Sequence, residues 1–138
     1  MHRRTLFSAA VLFAATSFAQ EDIGDYEWRT YGGDLASTRY APLDQINRSN
    51  FNELELAWQF KTDNLGPRPE SRFQSTPLVG GGVLYSTGGS RRTVFALDAE
   101  TGDMVWETEI LDYTVNPANQ TSGPIIANGK VISGRSCM

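Results

Sequence analysis

Two groups of polar side chains carry the chemistry of this sequence, one neutral and one positively charged. Gln74, Ser75 and Thr76 stand just before a short apolar run. Their amide and hydroxyl groups can hydrogen-bond to a ligand or to neighbouring strands, and the residues alone leave both roles open. Arg91 and Arg92 are adjacent in a Gly-rich loop. Guanidinium groups there can pair with carboxylates or remain solvated at a hairpin tip.

The residue types exclude several other kinds of site. His2 is the only histidine, so a histidine-based metal site or catalytic triad cannot form beyond the start of the chain. Cys137 is the only cysteine, so no disulfide can form within the chain. No Gly-x-Gly-x-x-Gly run links a strand pattern to a helix pattern, which argues against nicotinamide binding. The formal charge of -4 gives no reason to expect nucleic acid as a partner.

The segments that must position these groups are predicted to be short strands. Val83–Tyr85, Val94–Leu97 and a run that begins at Met104 are rich in β-branched and aromatic residues, with turn-forming clusters between them. Asp98–Gly102 begins with Asp and ends with Gly, which suits a short hairpin loop. The sequence therefore predicts an antiparallel meander. A ring as large as Trp106 on its outermost strand needs a neighbouring unit to cover it.

An internal repeat indicates what that neighbouring unit is. Trp58 precedes Trp106 by 48 residues, and Ser75–Ser86 aligns with Ser122–Ser133 at an offset of 47 residues. Two separate segments thus give nearly one period, in the range of roughly 40 to 50 residues that is typical of a β-propeller blade of four short strands. We therefore predict an all-β protein of the β-propeller class, in which residues 73–109 form one complete blade.

Two motifs resemble those of a known family. ALDAETGDMVW, residues 96–106, resembles the tryptophan-docking repeat A-x-D-x-x-T-G-x-x-x-W of pyrroloquinoline quinone (PQQ) dehydrogenases. Non-catalytic propellers, including the outer-membrane assembly lipoprotein, share that repeat. Trp28–Leu54 is more specific, because it resembles the N-terminal signature of bacterial quinoprotein dehydrogenases. Phe51 departs from the valine that the family prefers at its position.

The resemblance implies a ligand for the polar residues. Family members commonly place a glutamate at the position of Gln74, in an E-x-T-P pattern that contacts the quinone, so Gln74 and Thr76 are candidate PQQ contacts. The glutamine keeps a hydrogen bond and loses a charge. Arg91 and Arg92 are candidates for the carboxylates of PQQ. In the family, Ca²⁺ polarises the quinone and an aspartate acts as base. The calcium ligands and this aspartate lie downstream in the family, so no catalytic or metal-binding residue is assigned here.

The first 53 residues precede the propeller pattern. Residues 1–19 have a charged start, a short apolar stretch and a small-x-small site, which predicts a cleaved signal peptide and a periplasmic protein, with an uncleaved anchor as the alternative. Residues 20–53 are predicted to be an arm and cap, in which Asn47 or Ser49 caps a single helical turn and Phe51 faces the propeller rim. Residues 54–61 are predicted to be an outer-type strand.

The resemblance as a whole implies the N-terminal fragment of a quinoprotein dehydrogenase. Residues 54–138 would be a partial propeller, with 120–138 starting the next blade without an outer strand. Such an enzyme oxidises an alcohol or sugar and passes electrons to an acceptor such as cytochrome c or a quinone. The fragment alone is expected to be inactive because it lacks an assignable base. The alternative is a non-catalytic propeller that binds proteins, and the N-terminal signature favours the enzyme.

Overall fold

The computed structural model describes residues 27–66, 74–89, 93–110, 115 and 122–134. A four-stranded antiparallel sheet in the order β1-β2-β3-β4 and a two-stranded sheet dominate these ranges. Short 3₁₀ turns lie at Phe51–Glu53 and Thr62–Asn64. The strands are β1 (Leu78–Gly80), β2 (Val83–Gly88), β3 (Thr93–Asp98) and β4 (Met104–Glu109) in the first sheet and β5 (Ile125–Ala127) and β6 (Lys130–Ile132) in the second. The predicted all-β meander is therefore confirmed.

Both sheets contain a two-residue hairpin turn of the same kind. Gly80 pairs with Val83, and the intervening Gly81 and Gly82 have φ angles of 61° and 73°. Two consecutive positive φ angles are the conformation of a type I′ turn, which glycine adopts without a steric penalty. Asn128 and Gly129 repeat this turn between β5 and β6, with φ angles of 49° and 68°.

The strand register reproduces the repeat seen in the sequence. Leu78 pairs with Tyr85 across β1 and β2, and Ile125 pairs with Ile132 across β5 and β6. Each residue of the second pair follows its counterpart in the first by 47 positions. The β5–β6 hairpin is therefore the structural copy of the β1–β2 hairpin, as expected for consecutive propeller blades.

The core of the first sheet lies against β3, whose residues from Thr93 to Leu97 are all buried. Phe95 and Leu97 form a buried cluster with Leu65, and Trp58, Phe60 and Leu84 pack against it. The rings of Phe60 and Phe95 are 5.0 Å apart between centroids. Residues before the sheet thus contribute side chains to its core, so the segment that carries Trp58 is part of the folded unit.

Trp58 lies directly on the turn between β3 and β4. Its Nε1 donates a hydrogen bond to the carbonyl of Ala99 at 3.1 Å. Gly102 has a φ of 76°, and a Cβ added there would lie 2.6 Å from Cδ2 of Trp58. The turn therefore needs glycine for its backbone conformation and for its contact with the indole. Trp106 has the ring of Tyr85 6.2 Å away but remains 36% exposed, so the described part of the next unit does not cover it fully.

Two details before the sheet differ from the prediction. Residues 54–61 form no strand, because no neighbouring chain in the described ranges offers them a ladder. Trp58 and Phe60 contact the sheet through their side chains instead. The predicted helical turn is present, but its N-cap is Asn50, which makes no side-chain capping bond. Asn47 instead accepts a hydrogen bond from the amide of Ser49 at 2.9 Å. Phe51 is 64% exposed, so nothing described covers the ring predicted to face the rim.

The arm is joined to the sheet at the edge of β1. Trp28 and Val79 exchange both backbone hydrogen bonds at 2.9 Å. The carboxylate of Glu27 accepts a hydrogen bond from the amide of Gly81 at 2.6 Å and forms an ion pair with Arg29. The arm thus continues the sheet beyond β1. Among the residues that the structure describes, no helix has the length and apolar character needed to cross a membrane.

Candidate functional site

A cleft of about 350 Å³ lies between the segment that leads into β1 and the segment that leads into β5. Gln74, Thr76 and Leu78 line one wall, Ser122–Ile125 line the other, and Tyr31 of the arm completes it. A volume of this size is within the range of small-molecule sites. Gln74 is exposed and Thr76 is half-buried. Both residues predicted to contact a ligand before β1 therefore share one cleft.

Ser75 takes a different role from its two neighbours because side chains alternate along an extended chain. Its Oγ lies 3.2 Å from Oγ of Ser86 and accepts a hydrogen bond from the amide of Thr87 at 3.3 Å. Ser75 thus ties the segment to β2, the strand-bonding role left open by the sequence. Gln74 and Thr76 face the opposite way, into the cleft.

Gly123 sets how closely the two walls approach. A Cβ added to it would lie 2.7 Å from the carbonyl oxygen and 3.2 Å from the amide nitrogen of Thr76. Those atoms are backbone and cannot rotate away. Beside this contact, the hydroxyl of Thr87 donates a hydrogen bond to the carbonyl of Ser122 at 3.0 Å. The second hairpin is therefore docked on the first by one close backbone contact and one hydrogen bond.

Sequence reasoning missed Gly123 and Thr87 as residues that shape the cleft. The signal for Gly123 is a departure from the repeat, since the 47-residue offset places this glycine opposite Thr76. A position that loses its side chain in the second copy is a candidate for close backbone approach. Thr87 gave no comparable signal, because a threonine in a strand is ordinary.

The arm contributes an aromatic and a cationic side chain that sequence reasoning also missed. Tyr31 lines the cleft, and the guanidinium carbon of Arg39 lies 5.4 Å from the centroid of the Tyr31 ring. Nη2 of Arg39 is 3.5 Å from the Tyr31 hydroxyl oxygen. The distance to the centroid is that of a cation–π pair. Pairing of Trp28 with β1 brings this part of the arm to the cleft, and no local pattern encodes that pairing.

Three carboxyl groups of the described residues have a lowered pKa, and none of the three lines the cleft. The hydrogen bond with Arg29, followed by the one from the amide of Gly81, lowers the pKa of Glu27. Hydrogen bonds from the backbone amides of Thr101 and Glu100 lower the pKa of Asp98. The side-chain hydroxyl of Thr38, followed by its amide, lowers the pKa of Asp34. Asp34 and Asp98 therefore stay ionised and hold their own turns. Asp98 has the structural role that its place in a hairpin loop predicts.

The side chains that line the cleft fit PQQ, the cofactor that the resemblance implies, but they do not fit the Ca²⁺ ion that accompanies it. An amide, hydroxyl groups and an aromatic ring can hydrogen-bond to and cover a planar polar ligand such as PQQ. For Ca²⁺, a group of at least three acidic, histidine or cysteine side chains is absent from the described ranges. Arg91 and Arg92 lie outside the described residues, as does Cys137, so the cofactor contacts predicted for the two arginines stay predictions.

Comparison with known proteins agrees with the fold and the motifs. The chain is 40% identical over 112 residues to the dehydrogenase subunit of alcohol dehydrogenase (quinone) from Gluconobacter oxydans, covering 72% of this chain and 14% of that relative. It is 36% identical over 106 residues to 1-butanol dehydrogenase (cytochrome c) from Thauera butanivorans, covering 77% of this chain and 14% of that protein. The chain therefore spans about one seventh of the length of these relatives.

A solved structure and a family match complete the comparison. The crystal structure of quinohemoprotein alcohol dehydrogenase from Comamonas testosteroni superposes with a TM-score of 0.66 and 32% sequence identity, covering 80% of this chain and 16% of that one. Residues 28–123, well over half of the chain, match the PQQ family described as glucose/ethanol/alcohol dehydrogenase, beta-propeller domain. The repeat, the docked tryptophan and these matches together show that the chain belongs to the family of PQQ-dependent dehydrogenase β-propellers.

Proposed function

We propose that this chain is the N-terminal part of a periplasmic quinoprotein dehydrogenase that oxidises an alcohol or sugar and holds PQQ in the cleft between its two hairpins. The observation that carries the proposal is the convergence of Gln74, Thr76 and Ser122 on one cleft of about 350 Å³. The two relatives support an alcohol as substrate and a quinone or cytochrome c as electron acceptor.

Several side chains of the cleft can take part in holding the cofactor. The Gln74 amide is exposed and can donate one hydrogen bond to the cofactor or accept one from it, where the family commonly places a carboxylate, which can only accept. Thr76 offers a hydroxyl from the same wall, while Leu78 and Pro124 give the cleft an apolar surface. When bound, PQQ supplies a quinone that accepts two electrons from the substrate.

Ca²⁺ and the catalytic base belong, in this proposal, to parts of the protein beyond this chain. The described residues contain no cluster of ligands for the metal. The carboxylates with a lowered pKa are all engaged, Asp34 and Asp98 with their own turns and Glu27 with Arg29. The cleft alone can bind and orient a cofactor, but it holds no assigned group that removes a proton from an alcohol. We therefore expect the chain by itself to be inactive.

Titration of PQQ tests the proposal in the calcium-loaded full-length protein. Replacing Gln74 with Ala leaves a polar group of the cofactor without its hydrogen-bond partner, at a cost of about 1 to 3 kcal/mol, or roughly 5- to 150-fold in Kd. Gln74→Glu should be better tolerated because relatives carry glutamate. Gln59→Ala is the matched control, since Gln59 is exposed and does not line the cleft. Equal affinity in Gln74→Ala and the control would contradict the cofactor site.

A second candidate function is a propeller scaffold that binds proteins without catalysis. The tryptophan-docking repeat of residues 96–106 is compatible with it, because non-catalytic propellers share that repeat. The same titration separates the two functions. A folded full-length protein that binds no PQQ at any tested concentration would support the scaffold and overturn the enzyme.

A further inference from the structure

The side chains that line the cleft carry no charge, but the charged side chain of Arg39 lies beside the cleft. Every side chain that lines the cleft is neutral, whereas PQQ carries carboxylates. The guanidinium carbon of Arg39 lies 5.4 Å from the ring centroid of Tyr31, which itself lines the cleft. Arg39 is therefore a cation that contacts the lining of the cleft through the ring of Tyr31.

Arg39 also has donors to spare. A guanidinium has five N–H groups, and the Tyr31 hydroxyl, at 3.5 Å from Nη2, is a distant partner for one of them. In the described part of the chain Arg39 forms no ion pair, whereas Arg29 on the same arm is paired with Glu27. The cation–π contact with the Tyr31 ring holds the guanidinium beside the cleft and leaves N–H donors for an anion.

The loop that carries Arg39 is held rigidly in a costly conformation. Ser37 and Arg39 have φ angles of 55° and 54°, a region that residues with a Cβ rarely adopt. The amide of Arg39 donates to the carbonyl of Gly32 at 2.8 Å, and Asp34 accepts hydrogen bonds from both the amide and the hydroxyl of Thr38. Such conformations persist where the surrounding structure enforces them, and they cluster at ligand clamps.

We propose that Arg39 binds an anionic group of the ligand in the cleft, a carboxylate of PQQ in the proposed function on which this inference rests. Tyr31 is its positioning residue, because the ring holds the guanidinium and lines the cleft at the same time. The arm is thus part of the cofactor site, and its pairing with β1 through Trp28 places it there. A cleft with a neutral lining and one cation beside it can bind a ligand that has uncharged groups on one side and carboxylates on the other.

The test is the affinity of calcium-loaded full-length protein for PQQ, measured for Arg39→Gln, Arg39→Lys and a control at low and high salt. Arg48→Gln is the control, since Arg48 is an exposed arginine of the same arm that does not line the cleft. We expect Arg39→Gln to raise Kd about 5- to 20-fold, at or below the lower end of the range for a charge-assisted hydrogen bond, because the site is open to water. Arg39→Lys should lose less.

Salt dependence separates charge from a purely structural role. Wild-type affinity should fall with salt more steeply than that of Arg39→Gln, since the variant lacks the charge that salt screens. Thermal unfolding shows whether each variant is folded. If Arg39→Gln is not folded, Arg39→Lys still tests the role of the side chain. Equal losses in Arg39→Gln and Arg48→Gln, or equal salt slopes in wild type and Arg39→Gln, would overturn the role of Arg39. A wild-type protein that binds no PQQ would overturn the proposed function and this inference with it.

Discussion

Gly123→Ala is the sharpest perturbation of the cleft that the structure offers. The new methyl carbon would lie 2.7 Å from the carbonyl oxygen of Thr76, whereas ordinary van der Waals contact begins at 3.4 Å. The two walls must therefore separate by about 0.7 Å, the difference between these distances. Gly123 has no positive φ in the structure, so the effect comes from this contact and not from backbone strain.

The expected loss of docking energy has two parts. Forcing a methyl group into a well-packed contact costs about 1 to 3 kcal/mol. Separation of the walls also lengthens the hydrogen bond from Thr87 to the carbonyl of Ser122, now 3.0 Å, and a bond of this kind contributes roughly 1 kcal/mol. The β5–β6 hairpin should therefore lose about 2 to 4 kcal/mol of local stability. Thr87→Val removes only the hydrogen bond and should cost about 1 kcal/mol.

Hydrogen exchange of the full-length protein, read by mass spectrometry, measures this loss as local opening of the hairpin. A loss of 2 to 4 kcal/mol corresponds to roughly 30- to 900-fold faster exchange in residues 122–132. PQQ affinity should fall with it, because the wall that carries Ser122 moves. Gly134→Ala is the matched control, since nothing lies within 4 Å of a Cβ at that position. Equal exchange in the two variants would refute the reasoning that Gly123 docks the hairpins.

Two further predictions concern other parts of the chain. Gly102→Ala combines a φ of 76° with a clash at 2.6 Å from Trp58 and should destabilise its turn by about 2 to 4 kcal/mol. Gly81→Ala has a φ of 61° and nothing within 4 Å of its added Cβ, so it should destabilise its turn by only about 1 to 2 kcal/mol. Equal increases in hydrogen-exchange rate at the two turns would contradict the docking of Trp58. Protein recovered from the periplasm should begin at Gln20 by mass spectrometry, and an exported product that keeps Met1 would contradict the predicted cleavage.

Short-range patterns in the sequence determine most of the strands and turns of this protein. Asp98 and Gly102 predicted their hairpin loop because an Asp that accepts bonds from the turn amides and a Gly at positive φ form it locally. The 47-residue offset predicted that residues 122–133 repeat residues 75–86, and the register of β5 and β6 confirms it. Turn chemistry and strand alternation act over a few residues, so a sequence expresses them directly.

The candidate site was only partly accessible to the same reasoning. Gln74 and Thr76 were predicted as ligand contacts and do share the cleft, while Ser75 turns to β2. Which of the three would face a ligand depended on how the chain enters β1. Residues 54–61 show the opposite case, since their alternation predicted a strand that has no ladder partner in the described residues. Alternation places Trp58 and Phe60 against the core but leaves Leu56 80% exposed. Only a neighbouring chain supplies the hydrogen bonds of a sheet.

The tertiary structure alone decided what closes the cleft. Gly123 meets the backbone of Thr76 across 47 residues, and the pairing of Trp28 with Val79 across 51 residues brings Tyr31 and Arg39 to the same place. These contacts form between residues far apart in the chain, whose approach depends on the packing of two hairpins and an arm. No periodicity or turn preference encodes such an approach, because its free energy comes from the assembled surfaces and not from any one segment.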